Sequence, residues 1–402
     1  MYNILSLDGG GSWAIIQLLT LKDRYGNVSG HEILKKFDLV IANSGGSIVL
    51  AALAENWTLE KALTLFNDKT IRESIFSKNT FTDSFFPVDY LRLFRLPFGP
   101  KYSSKRKKDS FETLFKEVNK RQMSELPVFI KKESLKIVIC TYDALNNRAK
   151  FFKSYGVDSD DYDSVRLTQA IHGSSNAPVQ YFDFPARFKA KKSDVFYELW
   201  DGALGGFNNP VLAGIIEAYK LGVKLEDIRM VSIGTGNKLM SIKDKNNFWK
   251  WKQVAIKKRR KKLNLKSLKP QAKFFKETVL NQAKTILYQP PDTANYIAMM
   301  FLKTVSDKAI NEQIVRLSPL IHSDSNTPKE VEVLIIKLYA LDMDITNEEE
   351  IQCLLDCFSK WKEGKIMNQP LEFKIKRNND VVFINGNKDY KNGVEKWKSW
   401  GF

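Results

Sequence analysis

Apolar positions in the first half of the chain come in short runs separated by stretches of helical periodicity. Tyr2–Leu7 is a largely apolar run that ends in Asp8-Gly9-Gly10-Gly11, and a helical pattern follows over residues 14–25. A second run, residues 37–42, is apolar apart from Asp38. It breaks at Asn43-Ser44-Gly45-Gly46-Ser47 and resumes as a helical pattern over 48–55. Residues 135–141, 195–200 and 230–233 read as further strands. Mostly apolar runs without strict alternation belong to strands buried on both faces. The pattern predicts an α/β fold, a mainly parallel sheet with helices on both faces.

Two stretches fall outside that rhythm. Residues 76–108 are aromatic and basic, hold three prolines and end in Lys105-Arg106-Lys107-Lys108. They read as an inserted loop or cap. From residue 237 the chain turns basic and mostly helical, and residues 248–276 contain no Asp or Glu at all. The clearest helix there is Glu348–Lys362, with three glutamates in its first turn and Thr346 or Asn347 placed to cap it. The expected organisation is one α/β domain over 1–236 and a basic C-terminal region over 237–402, packed on that domain or regulating it.

Composition narrows the partners. With 43% hydrophobic and 27% charged residues the chain is an ordinary globular protein. Its net charge of +17 favours anionic partners: nucleic acid, anionic lipid headgroups or small phosphorylated ligands. Charge alone does not choose among them. The three cysteines, Cys140, Cys353 and Cys357, suit neither a disulfide framework nor a zinc site, so a reducing cytoplasm and no metal are expected. No signal peptide is read at Met1-Tyr2-Asn3, and no run of about 18 apolar residues suggests a membrane span.

The candidate chemistry lies in three turns. A nucleophile elbow needs a strand, a very tight turn and a helix, with small residues beside the nucleophile. Ala42-Asn43-Ser44-Gly45-Gly46 fits that description, with Ala where the Gly-x-Ser-x-Gly pattern has its first glycine. The helix that follows would aim free N–H groups at the serine oxygen. A plain Gly/Ser turn without chemistry fits equally well. Asp8-Gly9-Gly10-Gly11 can fold so that successive N–H groups converge on an oxyanion, although a phosphate-binding turn looks similar. Asp201-Gly202-Ala203 follows the run 195–200. An aspartate ending a parallel strand there would share a sheet edge with the elbow and could take the serine proton directly.

Together these residues resemble the patatin-like phospholipases. Leu5-Ser6-Leu7-Asp8-Gly9-Gly10-Gly11 is similar to the family's opening strand and oxyanion loop, and Phe37-Asp38-Leu39 through Gly46 to its serine elbow. Ser174-Ser175-Asn176-Ala177-Pro178, Asp201-Gly202-Ala203 with Asn208-Asn209-Pro210, and Ser232-Ile233-Gly234-Thr235-Gly236 follow in the family's order. The resemblance covers roughly the first 236 residues. It implies a serine lipid acyl hydrolase with an acyl-enzyme intermediate, acting on phospholipid or lysophospholipid esters. Ser44 would be nucleophile and Asp201 base, with Gly9, Gly10, Gly11 and Gly45 forming the oxyanion hole. Ala42, Gly46, Gly202 and Ala203 would shape the two turns, and no cofactor is implied. Of the three histidines, His31, His172 and His322, only His172 lies near a motif, and it reads as structural. The chain departs from the family at Trp13-Ala14, where Arg-Gly is common. That removes a positive charge near the oxyanion loop and places a bulky ring there.

The resemblance and the charge together imply a cytoplasmic enzyme working at the inner face of a membrane. Trp249 and Trp251 interleaved with lysines, and the run 257–262, suit an anionic lipid interface, and a solvated basic loop suits them equally. Patatin-like enzymes also serve as membrane-degrading effectors in bacterial anti-phage signalling. By that analogy the basic tail would bind a cyclic nucleotide activator. The alternative is a nucleic-acid- or nucleotide-binding protein on an inactive patatin-like scaffold. Nucleic acid is disfavoured by the absence of a recognition motif, and self-association is left open.

Overall fold

The computed structural model describes residues 1–78, 100–156, 164–178, 181–191, 195–238, 291–302, 313–323, 326–368, 375–377, 380–382, 387 and 389–402. Most of the stretch read as a cap, 79–99, and the whole basic run 248–276 lie outside the described residues.

The strands that matter for the site are β1 (Tyr2–Leu7), β2 (Leu39–Ala42), β3 (Lys136–Asp143), β4 (Arg148–Lys153), β5 (Ala186–Lys189), β6 (Phe196–Asp201), β7 (Ile228–Ile233) and a later edge strand, Ile314–Leu317. They form one eight-stranded sheet in the order β5-β6-β3-β2-β1-β7 and then Ile314–Leu317, with β4 paired to β3. Neighbours from β3 through β2, β1 and β7 to the edge strand run parallel. β4 and β6 run antiparallel to β3, and β5 antiparallel to β6. The mainly parallel α/β fold read from the hydrophobic pattern is the fold observed.

Burial explains why the central runs do not alternate. Leu5, Leu7, Val40 and Ala42 face a core with the helices Ile15–Tyr25 and Ser44–Ala54. Ile4, Leu39 and Ile41 point to the opposite face, under Val211–Lys220 and Pro291–Leu302. Side chains still alternate with period two, but both directions end in apolar contacts.

Three expectations need correction. The sheet does not end within 1–236, because Ile314–Leu317 adds a parallel strand outside β7. Arg316 interrupts that run, so its apolar pattern is too short to read as a strand. The basic run at 105–108 is not loop: it opens the helix Ser104–Leu114, which Ser103 caps by accepting from the Arg106 N–H at 3.4 Å. Lys107 and Phe111 on that helix are buried, so the run faces inward as well as outward. Finally, Asp201 ends an antiparallel strand, and it reaches the elbow in a different way from the parallel strand expected.

That way is visible in the register of β3. One edge of β3 is taken by β4 over Val138 to Asp143. Its other edge carries β2 opposite residues 136–139 and then β6 opposite residues 141–143. β2 and β6 therefore lie end to end and run toward each other. Ala42 pairs with Ile139 and Asp201 with Thr141, leaving only Cys140 between the two strand tips.

Among the described residues no helix is long and apolar enough to cross a membrane.

Candidate active site

Ser44 sits where the chain leaves β2 for the helix Ser44–Ala54. Asn43 is still extended, but Ser44 has φ +47°, a left-handed conformation that costs a non-glycine residue about 1–3 kcal/mol. Such strain is the mark of a nucleophile elbow, where it thrusts the side chain clear of both elements. The Ser44 N–H donates to Ser174 Oγ at 2.9 Å, and the residue is 5% exposed.

Asp201 arrives from the opposing strand tip, beside the Ser44 side chain. Asp201 Oδ1 accepts from Asn43 Nδ2 at 3.0 Å and from the Ala203 N–H at 2.9 Å. Burial pushes the Asp201 pKa up. The Ser44 side chain, the hydrogen bonds from Ala203 and Asn43, then the Lys107 charge pull against that rise. The Asp201 N–H donates to Asn176 O at 3.1 Å, so one turn, 174–176, touches both Ser44 and Asp201.

Lys107 braces that turn. Its Nζ donates to His172 O and Ser175 Oγ, both at 3.3 Å, and lies 3.8 Å over the Phe182 ring. Complete burial drives its pKa well down, against the attraction of Asp201 and Asp183. His172 is buried, and desolvation with the nearby Lys107 and Lys108 charges holds it well below the ordinary histidine range. Its Nε2 lies 3.4 Å from Ser104 Oγ.

The glycine run passes directly over the serine. A Cβ on Gly9 would lie 2.9 Å from Ser44 Cβ and 2.3 Å from Asn208 Oδ1, so only glycine fits. The Gly9 N–H, however, is committed to Asn208 O at 2.8 Å. Gly9 is therefore not a free oxyanion donor, contrary to the expectation; its role is close approach. Among the described residues, nothing accepts the N–H of Gly10, Gly11 or Gly45. Gly11 and Gly45 are in contact, since a Cβ on Gly45 would fall 2.9 Å from the Gly11 nitrogen. Two of the unclaimed donors thus lie together beside Ser44. Gly46 lies beneath, against the Leu7 and Asp8 carbonyls, and Gly202 packs on Asn43, while Ala42 and Ala203 are buried.

Asp8 anchors the run from below. Its Oδ2 accepts from Arg316 at 2.6 Å, and Arg316 also donates to Ser232 Oγ at 2.8 Å. Both charges are buried, and desolvation still outweighs the arginine in raising the Asp8 pKa. The cation missing at Trp13 thus has a counterpart brought in by the edge strand, on the far side of the loop. Trp13 instead turns its Nε1 toward Asp342 O at 3.0 Å.

Residues 5–215, more than half of the chain, match the family model described as Patatin: Patatin-like phospholipase. The chain belongs to the patatin-like phospholipase family. Among solved structures, VipD from Legionella pneumophila aligns with this patatin-like chain at 12% identity and a TM-score of 0.35, over 88% of this chain and 66% of that one. ExoU from the type III secretion system of Pseudomonas aeruginosa, solved in complex with SpcU, aligns at 16% identity and a TM-score of 0.25. That alignment covers 44% of this chain and 38% of ExoU. The chain therefore spans just under two thirds of VipD and well under half of ExoU. No curated protein matches it.

Sequence reasoning placed Ser44 and Asp201 together, and they are together. It missed Asn43, Lys107 and Arg316. Asn43 was within reach, because an amide next to a nucleophile is a natural partner for the base. Lys107 looked like one more solvated charge. Among the described residues, no group of three or more His, Cys, Asp or Glu side chains could hold a metal ion.

Proposed function

We propose that the protein hydrolyses carboxylic esters of phospholipids or lysophospholipids, with Ser44 as nucleophile and Asp201 as its base. The observation that carries this reading is a serine held at positive φ on a strand-to-helix turn, with a buried carboxylate brought beside its side chain from the opposing strand tip. Ser44 Oγ attacks the ester carbonyl as its proton passes to Asp201. The oxyanion faces the N–H groups of Gly10, Gly11 and Gly45. Collapse breaks the ester C–O bond, and the leaving alcohol takes the proton from Asp201. Water, giving a proton to Asp201, then attacks the acyl-Ser44; the bond from the acyl carbon to Ser44 Oγ breaks, Ser44 takes that proton back, and the fatty acid leaves. No histidine is needed, because burial raises the basicity of Asp201.

The net charge of +17 and the basic aromatic run 248–276 support an anionic lipid surface as the place of action. The same charge suits a cyclic nucleotide activator and a defence role, for which the support is analogy alone. Titrating activity with anionic vesicles against cyclic nucleotides distinguishes them. We also propose 1–236 as the catalytic part and 237–402 as the regulatory one.

The deciding assay incubates phospholipid with wild type and Ser44→Ala and reads products by mass spectrometry. Fatty acid release that requires Ser44 supports the reading; none from the wild type on any lipid class refutes it.

A further inference from the structure

Residues 341–346 link the helices Lys329–Ala340 and Glu348–Lys362, and they lie across the oxyanion loop. Backbone carbonyls of this link take up the loop's donors. Met343 O accepts from the Ser12 N–H at 2.8 Å, Ile345 O from Ser12 Oγ at 3.2 Å and Asp342 O from Trp13 Nε1. The approach is close enough that a Cβ on Gly11 would stand 2.4 Å from Met343 O. Two carboxylates fasten the other side: Asp342 Oδ1 accepts from Tyr181 OH at 2.5 Å, and Asp344 Oδ2 from Tyr102 OH at 2.5 Å and Lys101 Nζ at 2.8 Å.

Between these anchors Met343 is pushed inward. It is 8% exposed and packs in one cluster with Tyr102, Ala177, Tyr181, Phe182 and Ala203. Ala203 binds the Asp201 carboxylate, and Ser12 follows directly on Gly11. Met343 is therefore bracketed by the two turns that flank Ser44. An apolar cluster beside a nucleophile is where the acyl chain of a lipid ester has to lie, and here an unbranched thioether side chain fills it.

We propose that the segment 341–346 is an autoinhibitory strap, with Met343 occupying the acyl-chain slot, and that hydrolysis of a lipid requires the strap to leave. The proposal rests on the hydrolase reading above. It accounts for Ser44 being 5% exposed in an enzyme whose substrate is bulky. It also gives Trp13 a purpose: in place of the family's arginine stands a ring whose nitrogen holds the strap. Lys101, 43% exposed, is the anchor that a lipid phosphate can reach and draw away from Asp344.

The test compares wild type with two variants. Asp342→Ala/Asp344→Ala removes both carboxylate anchors; Met343→Ser empties the slot and leaves the anchors in place. Binding of a fluorescent fatty acid needs no chemistry and reads the slot alone. Ser44-dependent hydrolysis of a soluble medium-chain ester reads the site. Both variants should bind the fatty acid and cleave the ester roughly tenfold or more better than wild type, as a population shift from closed to open requires. A folded variant that binds the fatty acid no better than wild type overturns the strap. Improved fatty acid binding without hydrolysis by any protein would leave the strap standing and remove the hydrolase reading instead.

Discussion

Asn43 Nδ2 lies 3.0 Å from Asp201 Oδ1, so the residue before Ser44 holds the carboxylate proposed as its base. Asn43 Oδ1 in turn accepts from Ser174 Oγ at 3.4 Å, and Ser174 Oγ accepts the Ser44 N–H. The side chains of Asp201, Asn43 and Ser174 and the Ser44 backbone N–H thus form one run of hydrogen bonds. For the base proposed here, such bracing reduces the reorganisation that proton transfer requires.

Asn43→Ala should therefore lower kcat by roughly 10–100-fold with little change in KM, since positioning of the base is lost and substrate contacts are not. Steady-state kinetics on a soluble ester checks this. A variant with reduced KM-side efficiency only, and an intact kcat, would place Asn43 in substrate binding.

On the proposed mechanism the acid limb of the pH–rate profile belongs to Asp201. The carboxylate works only when ionised, so activity falls as pH drops through its folded-state pKa. Burial raises that pKa, and the limb should therefore lie above the ordinary aspartate range. Lys107 opposes the rise through its charge; Asp183 in turn faces Lys107, and His172, whose pKa is held low by burial and the Lys107 and Lys108 charges, lies in the same neighbourhood. Lys107→Met should move the limb to still higher pH, with most of the activity recovered at the alkaline plateau. An unmoved limb would mean that Lys107 acts only by bracing the turn 172–175.

Asp8 and Arg316 are joined across the boundary between the two halves of the chain, and each is buried. Removing one partner of such a pair strands the other charge and costs about 3–5 kcal/mol. Arg316→Met should show that loss in urea unfolding, whereas Asp8→Asn combined with Arg316→Met should recover part of it. If Arg316→Met unfolds like wild type, the pair does not hold the edge strand to the sheet.

The central strands and the elbow were legible because each imposes a local demand. A strand buried on both faces must be apolar throughout, as in Leu39–Ala42, and a tight turn at Ser44 must have small neighbours. The direction of β6 was not legible, because pairing direction leaves no trace in residues 196–201 themselves. Arg316 and Lys107 were hidden for the opposite reason: a charge in a short run reads as a break or as a solvated face. Their burial depends on Asp8, some three hundred positions away, and on the turn 172–175. The strap falls under the same rule. Leu341-Asp342-Met343-Asp344-Ile345-Thr346 alternates like a half-buried strand, and only the fold reveals that Met343 packs beside Ala203 while Leu341 and Ile345 join the main core.

The basic run can be tested without knowing its conformation. Replacing Lys257, Lys258, Arg259, Arg260, Lys261 and Lys262 by Gln should weaken activity on anionic vesicles far more than on a soluble ester. Attraction to the surface depends on lipid charge and decays within a Debye length of about 8 Å at physiological salt. Chemistry at Ser44 needs none of these charges, so the soluble ester reports whether fold and dyad survive. Raising salt should depress wild-type activity on anionic vesicles and leave the Gln variant nearly flat. Equal losses on both substrates would assign the run a structural role. A loss confined to nucleotide-dependent activation would transfer it from the membrane to an activator, with the Ser44 chemistry unchanged in either case.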